Sequence, residues 1–368
     1  MAGTFNTFQE LILNGKILAG HDVASGGLIT TILELCFADL DLGATLDLTS
    51  IGEADTIKLL FSENAGIVFQ AKDSSVEKVL ANAGIEYFKI GSVSTTATLT
   101  IKNQGMEMGL NINSLRDTWF KTSYLLDRRQ TANNLAKERY NNYKNQPLTY
   151  SFPTHFDGKL PAKANTRPKA AILREKGSNS EREMANAMYL AGFDVKDVHM
   201  TDLISGRETL EDIQFIGAVG GFSNSDVLGS AKGWAGAFKY NEKANTALKN
   251  FFARPDTLSI GICNGCQLFM ELELINPEHA EHGKMTFNDS HKHESGFTSV
   301  VVQKNNSIML SSLEGANLGV WISHGEGKFK LPMTKENYNI VANYGYEGYP
   351  ANPNGSDFNT AMLRDVSG

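Results

Sequence analysis

From Lys169 onward the chain alternates strands with helices, and that alternation restricts its fold more than any other feature. The apolar run "KAAILRE" is followed by the helically spaced "SEREMANAMYLAG". Then come strand "FDVKDVHM", helix "TDLISGRETLED", strand "FIGAVGG", a long helical tract, strand "TLSIGI" and helix "GCQLFMELELI". Strands joined in this way predict an α/β fold, a parallel sheet covered by helices on both faces. Such sheets bind ligands beyond the carboxyl ends of their strands, and the glycine-rich turns of this half fall there.

The last of those turns, "GICNGC", carries two of the chain's three cysteines, Cys263 and Cys266. Four readings stay open on the residues alone. A thioredoxin-like redox pair also follows a strand. Half of a zinc site would need further ligands, for which His279, His282, His291 and His293 in "PEHAEHGKMTFNDSHKHESG" are the candidates. Two small buried residues in a turn would need no chemistry at all. The nucleophile reading accounts for most letters. Gly261-Ile262-Cys263-Asn264-Gly265 has the form G-x-nucleophile-x-G, in which small neighbours expose a side chain on a sharp strand-to-helix turn. The next helix aims its amino-terminal N–H groups at the turn, which favours thiolate over thiol. Cys263 is then the nucleophile, and Cys266, about one turn on, faces the packed side. An attacked carbonyl needs donors for its oxyanion. The N–H of Asn264 supplies one, and the open backbone of Gly220 and Gly221 in "GGFSNSD" is the expected source of a second.

Residues 1 to 112 read as a separate α/β unit: helices "TFQELILNGKILAG", ending at Gly20, and "GGLITTILELCFA"; strand "AGIVFQA"; helix "SVEKVLANAG", capped by Ser75 and stopped by Gly84; and strands "EYFKIGSVS" and "TATLTIKN". Residues 113 to 167 read as a linker, polar and helical at first. The stretch "PLTYSFPTHFDGKLPAKANTRP" then carries four of the nine prolines, which break both helix and ladder. Residues 168 to 368 form the second domain. A formal charge of -7 argues against nucleic acid or an anionic membrane as partner. No run approaches the roughly 18 apolar residues of a membrane span. The amino terminus lacks the pattern of a secretory signal, and three cysteines form no disulfide framework, so a cytoplasmic protein is expected.

Several longer motifs resemble one family. "KAAILREKGSNSEREMANAMYLAGFDVKDVHMTDLISG", "GGFSNSDVLGSAKGWA", "GICNGCQLF", "ISHGEGKF" and "YPANPNGS" are similar to the class I glutaminase domain of the large single-chain phosphoribosylformylglycinamidine synthases. "HDVASGGL" and "LFSENAGIVF" resemble the carboxyl-terminal half of their second aminoimidazole-ribonucleotide-synthetase-like module. The resemblance implies a flavodoxin-like glutaminase joined by a linker to a synthetase-like subdomain. It implies a ligase of purine biosynthesis that takes ammonia from glutamine through a cysteine thioester. The ammonia then reaches a distant site that uses ATP and Mg²⁺. It further implies Cys263 as nucleophile, Gly220, Gly221 and Phe222 as glutamine- and oxyanion-binding, and Asp22 as a Mg²⁺ position. The usual Asp-x-Ser-x-Gly-Gly has Ala24 in place of its serine, and a helix-terminal carboxylate is the plainer reading of Asp22.

The same family ends its triad with a His-x-Glu pair near the carboxyl terminus, and nothing of that kind follows "YPANPNGS". The abrupt ending "AMLRDVSG" reads as that of a fragment. His324-Gly325-Glu326 is another H-x-E, expected to form active-site surroundings rather than the dyad. A free thiol of pKa about 8.5 is mostly protonated at neutral pH, a deficit of about 2 kcal/mol. A helix terminus cannot hand a proton to departing ammonia. The expectation is therefore little glutaminase turnover by this chain alone, no strongly bound cofactor, and missing amino-terminal modules as natural partners. A non-catalytic interaction module and a redox protein are the alternatives.

Overall fold

The computed structural model describes residues 2–38, 41–145, 149–160 and 165–367. Pro147 and Pro161 of the expected proline-rich linker lie outside the described residues. Two compact units divide the chain, Met1–Leu126 and Asp127–Gly368.

In the first unit, α1 (Ala2–Leu13) is followed by β1 (Ile17–Asp22), α2 (Gly27–Cys36), β2 (Gly43–Asp47), α3 (Thr56–Phe61), β3 (Ile67–Ala71) and α4 (Ser75–Asn82). Strands β4 (Gly91–Ser94), β5 (Thr98–Asn103) and β6 (Met106–Asn111) lead into α5 (Ile112–Asp127). A four-stranded sheet runs β4-β2-β5-β6, and β1 pairs antiparallel with β3. The helix expected to end at Gly20 stops at Leu13 instead. Asn14 and Gly15 make the turn, the Gly15 N–H closing on Ile12 O (2.9 Å), so that "ILAGHD" runs extended. Ser75 is not the cap of α4. Ser74 stands there, and the Asp73 carboxylate accepts the Ser75 N–H (2.9 Å). Gly84 takes the left-handed turn that ends this helix.

In the second unit, α6 (Leu135–Asn142) precedes β7 (Lys169–Arg174), α7 (Glu181–Leu190), β8 (Asp194–His199), α8 (Met200–Ser205), β9 (Phe215–Ala218), α9 (Lys232–Lys239), α10 (Glu242–Phe252), β10 (Leu258–Gly261) and α11 (Asn264–Glu271). Strands β10-β9-β7-β8 form the expected parallel sheet. Both faces are covered. Ala171, Leu173, Ile216 and Ala218 meet Leu203, Trp234, Phe238, Phe251 and Leu268 on one side, while Ala170, Ile172 and Phe215 meet Met188 on the other. That explains why "AAIL" is apolar throughout rather than alternating.

The rest is antiparallel, an arrangement the alternation upstream does not announce. It comprises β11 (Lys284–Thr286), β12 (Glu294–Val302), β13 (Asn317–His324), β14 (Lys328–Lys330), β15 (Asn339–Tyr344) and β16 (Thr360–Arg364). Its main sheet runs β13-β12-β15-β16. Helix α6 is tied to this half by charge. Arg139 bridges Asp127 (2.7 Å) and Glu294 (2.9 Å), whose side chain is 4% exposed. The same guanidinium lies over the Tyr349 ring (4.7 Å), and Tyr349 Oη donates to Glu294 (3.0 Å).

Candidate active site

Leu173, Ala218 and Gly261 are in register across β7, β9 and β10, so the loops that follow them leave the sheet side by side. The loop after β7 zips onto the loop after β9 through main chain alone. Asn179 N–H donates to Gly220 O (2.9 Å), Phe222 N–H to Gly177 O (3.0 Å) and Asn224 N–H to Lys176 O (2.7 Å). Gly221, at φ 112°, sits so close to this partner that a Cβ would lie 2.6 Å from Asn179 N. Its own N–H is turned to the sulfur of Cys263.

Cys263 stands between β10 and α11 at φ 55°, ψ −110°, a conformation disfavoured for a residue with a Cβ. The two glycines of G-x-C-x-G make that bend possible. A Cβ on Gly261 would lie 2.6 Å from Gly265 O, and one on Gly265 would lie 2.1 Å from Ala218 O. The turn is thus closed by backbone against backbone, and it presents a partly exposed Cys263 beside the exposed Ile262. Gly220 faces that side chain directly, since a Cβ there would lie 3.9 Å from Sγ. Burial pushes the Cys263 thiol upward. The N–H groups of Gly221 and Asn264 pull against that rise, and the Asp226 carboxylate adds to it. The thiolate preference expected from the helix terminus is therefore present as one donor, Asn264, joined by Gly221 from the loop after β9, and desolvation outweighs both. Its S–H points to Ser323 O (3.7 Å).

Cys266 belongs to the packed side, as its place one turn on implies. It lies against the cluster of Met270, Phe329, Leu331 and Tyr338, and burial pushes its thiol up to about 12. Both thiols are free. Among the described residues no three His, Cys, Asp or Glu side chains converge on a point that a metal ion would fill. His279 meets the Tyr338 ring edge-on (5.2 Å), His282 faces Glu273 (3.5 Å), and His293 bonds Ser323 Oγ (3.0 Å).

Phe222 is 51% exposed beside the sulfur's loop, its ring 6.0 Å from that of His293. His324 closes β13. Burial lowers its pKa, His293 lowers it further, Asn354 raises it in part, and its Nδ1 has no partner. Glu326 Oε2 accepts the Ser230 N–H (3.2 Å). The two are held apart in function, the ring neutral and the carboxylate engaged elsewhere, so H-x-E here lacks the geometry of an orienting dyad.

Three groups near the sulfur went unmarked at the level of sequence. Asp226 is the last letter of "GGFSNSD"; burial and the facing Glu326 raise its pKa, against the pull of Ala231 and Asn264. Gln267 is buried beside Asn264 on α11, and Ser323 turns its main-chain carbonyl to the sulfur while its Oγ bonds His293. A cavity of about 340 Å³ opens on the same loop, between Ser223, Asp226 and Gly233, but Cys263 is not in its wall.

Asp22 lies in the other unit, at the end of β1. Its exposed carboxylate stands 3.6 Å from His21 Nδ1, and among the described residues it belongs to no group of three His, Cys, Asp or Glu side chains that could hold a metal ion. The carboxylate that greets the start of α2 is that of Glu63, which accepts the Gly26 N–H (2.9 Å). A lone exposed Asp does not build a Mg²⁺ site.

Residues 4–102 match the family described as AIR synthase related protein, C-terminal domain, and residues 167–368 match the CobB/CobQ-like glutamine amidotransferase domain. Among curated proteins, the chain is 34% identical to one of Arabidopsis thaliana with the printed name "Probable phosphoribosylformylglycinamidine synthase, chloroplastic/mitochondrial". The match takes in 100% of this chain and 28% of that relative. Among solved structures, PurLQS of Thermotoga maritima is 26% identical with a TM-score of 0.44, over 55% of this chain and 84% of that one. A glutamine amidotransferase of the same organism is 14% identical with a TM-score of 0.33, over 48% and 67% of the two chains. With more than half of its residues matched, the chain belongs to the family of CobB/CobQ-like glutamine amidotransferase domains.

Proposed function

We propose that the second unit hydrolyses glutamine through a thioester on Cys263. One observation carries this reading: a partly exposed sulfur on a glycine-flanked bend, with the N–H groups of Gly221 and Asn264 directed at it. The thiolate adds to the side-chain amide carbon of glutamine, and the oxygen that becomes negative takes those two N–H bonds. Collapse expels the nitrogen as ammonia once it has gained a proton, and water then cleaves the thioester to glutamate. Gly220 leaves room for the amide, and Phe222 lines its approach.

The ammonia serves a longer protein, of which this chain matches 28% in its relative. There it displaces the formyl oxygen of formylglycinamide ribonucleotide, activated with ATP and Mg²⁺. The amino-terminal unit is one part of that synthetase, and Asp22 contributes to Mg²⁺ only alongside ligands from other modules. A cytoplasmic setting remains our reading, although the relative's name is chloroplastic/mitochondrial. No described helix is long and apolar enough to cross a membrane.

A glutamine-derived chloroketone tests the proposal. It is expected to label Cys263 saturably, with glutamine competing, and to leave Cys266 untouched. Equal, slow labelling of both cysteines would favour an interaction module without chemistry.

Two further results are expected. Because burial outweighs the two N–H donors at Cys263, the thiolate fraction is small at neutral pH. Alkylation by iodoacetamide should climb about tenfold per pH unit to at least pH 9, without a plateau near neutrality. Peptide mass spectrometry across pH 6–10 measures this. His324→Gln should change chloroketone labelling by less than about threefold, since the imidazole is not bonded to the sulfur; a loss beyond about 100-fold would make it the base.

A further inference from the structure

We infer that the side chains of Asn264 and Gln267 form a positioning relay that holds both oxyanion donors and the Ser323 carbonyl around the Cys263 sulfur. The inference rests on the glutaminase reading and concerns how its geometry is set. Asn264 is 0% exposed and Gln267 4%. Asn264 Oδ1 accepts the N–H of Ser223 (3.2 Å), two residues beyond Gly221. Its Nδ2 donates to Gln267 Oε1 (2.8 Å), and Gln267 Nε2 donates to Glu326 O (2.8 Å) in the turn just after Ser323.

Three loops leave three different strands here, and the donors to the sulfur sit on two of them. Main-chain bonds zip the loop after β9 to the loop after β7, whereas this buried amide pair ties it to α11 and to the end of β13. Both amides are oriented without ambiguity: Oδ1 must accept, so Nδ2 must donate, and Gln267 must then present Oε1 to it and Nε2 to the carbonyl. Buried networks satisfied in this way specify one geometry. An error of about 1 Å at a reacting centre costs on the order of 100-fold in rate.

The full chain is treated with the glutamine-derived chloroketone, which adds through a tetrahedral oxyanion at its carbonyl, and separately with iodoacetamide, which alkylates by direct displacement and needs no oxyanion donor. Gln267→Met keeps the volume and removes both bonds; Asn264→Ala cuts the link to Ser223. For each, the saturating rate with chloroketone should fall about 10- to 100-fold. The half-saturating concentration should stay within about threefold, and the iodoacetamide rate, which the same N–H groups reach only through the thiolate fraction, should fall several-fold less than the chloroketone rate. Should Asn264→Ala fail to fold, Gln267→Met decides. Saturable labelling of the parent chain with unchanged rates in the variants overturns the relay alone, as does a parallel fall with both reagents. A parent chain that reacts without saturation overturns the glutaminase reading and the relay with it.

Discussion

Cys263→Ala is expected to remove chloroketone labelling and any glutamine-dependent ammonia release completely, a loss on the order of 10⁴-fold or more. No neighbour can substitute. Cys266 is three residues away in sequence, yet its sulfur packs against Met270, Phe329 and Tyr338 and its thiol is pushed up to about 12. At pH 8 such a group is about one part in 10⁴ ionised. The oxyanion donors would remain, since Gly221 and Asn264 present main chain and the bend loses only its sulfur. The variant should therefore still bind glutamine, and it separates binding from chemistry. Calorimetric titration with glutamine, beside intact-mass analysis after chloroketone treatment, measures both. Labelling at Cys266 in its place would show that the cysteines are exchangeable and would return the pair to redox chemistry.

The second large effect comes from one methyl group. Gly265→Ala would bring a Cβ to 2.1 Å from Ala218 O and 2.5 Å from Ala218 C, both backbone atoms of a central strand. No rotamer relieves such a contact, so α11 has to move off the sheet and take Cys263 with it. We expect a destabilisation of about 3 kcal/mol, which for a unit of this size lowers the melting temperature by about 6–12 °C. Chloroketone labelling should fall on the order of 100-fold. Gly296→Ala is the control. Nothing lies within 4 Å of the added carbon, and a change of less than about 1 kcal/mol is expected. Thermal melts of the three proteins decide the matter. Equal melting temperatures would mean that the bend is not held by backbone contact.

The parallel half was legible because two independent signals agreed, apolar strands followed by helically spaced segments and glycines at strand ends. The glycine-flanked bend was legible for a related reason. Gly261 and Gly265 are demanded by backbone approach, and such demands are written locally in sequence. The misread portions lack that property. "ILAGHD" carries apolar letters that suit either a helix or a strand, and only its pairing with β3 chose the strand. In the antiparallel sheet β13 alternates, Leu318, Val320 and Ile322 packing inward, but its pairing with β12 is not written in that pattern. Asp226, Gln267 and Ser323 act through what they meet across the fold, and nothing in "NSD", "CQL" or "WIS" names those partners. Glu326 shows the converse: it has the spacing of a pair with His324, reads as surroundings rather than as the dyad, and in the structure its carboxylate accepts the Ser230 N–H.

The ion pairs of Arg139 bear on how the glutaminase portion should be excised for study. Family similarity begins at residue 167, and a gene trimmed to that point would discard both Asp127 and Arg139. Glu294 would stay behind as a secluded anion without its counterion, directly after His293 and in register with His324. Orphaning a charge of this kind costs about 3 kcal/mol or more. Residues 127–142, easily dismissed as a tether, therefore belong to the body of the second unit, and a workable expression boundary lies upstream of Asp127.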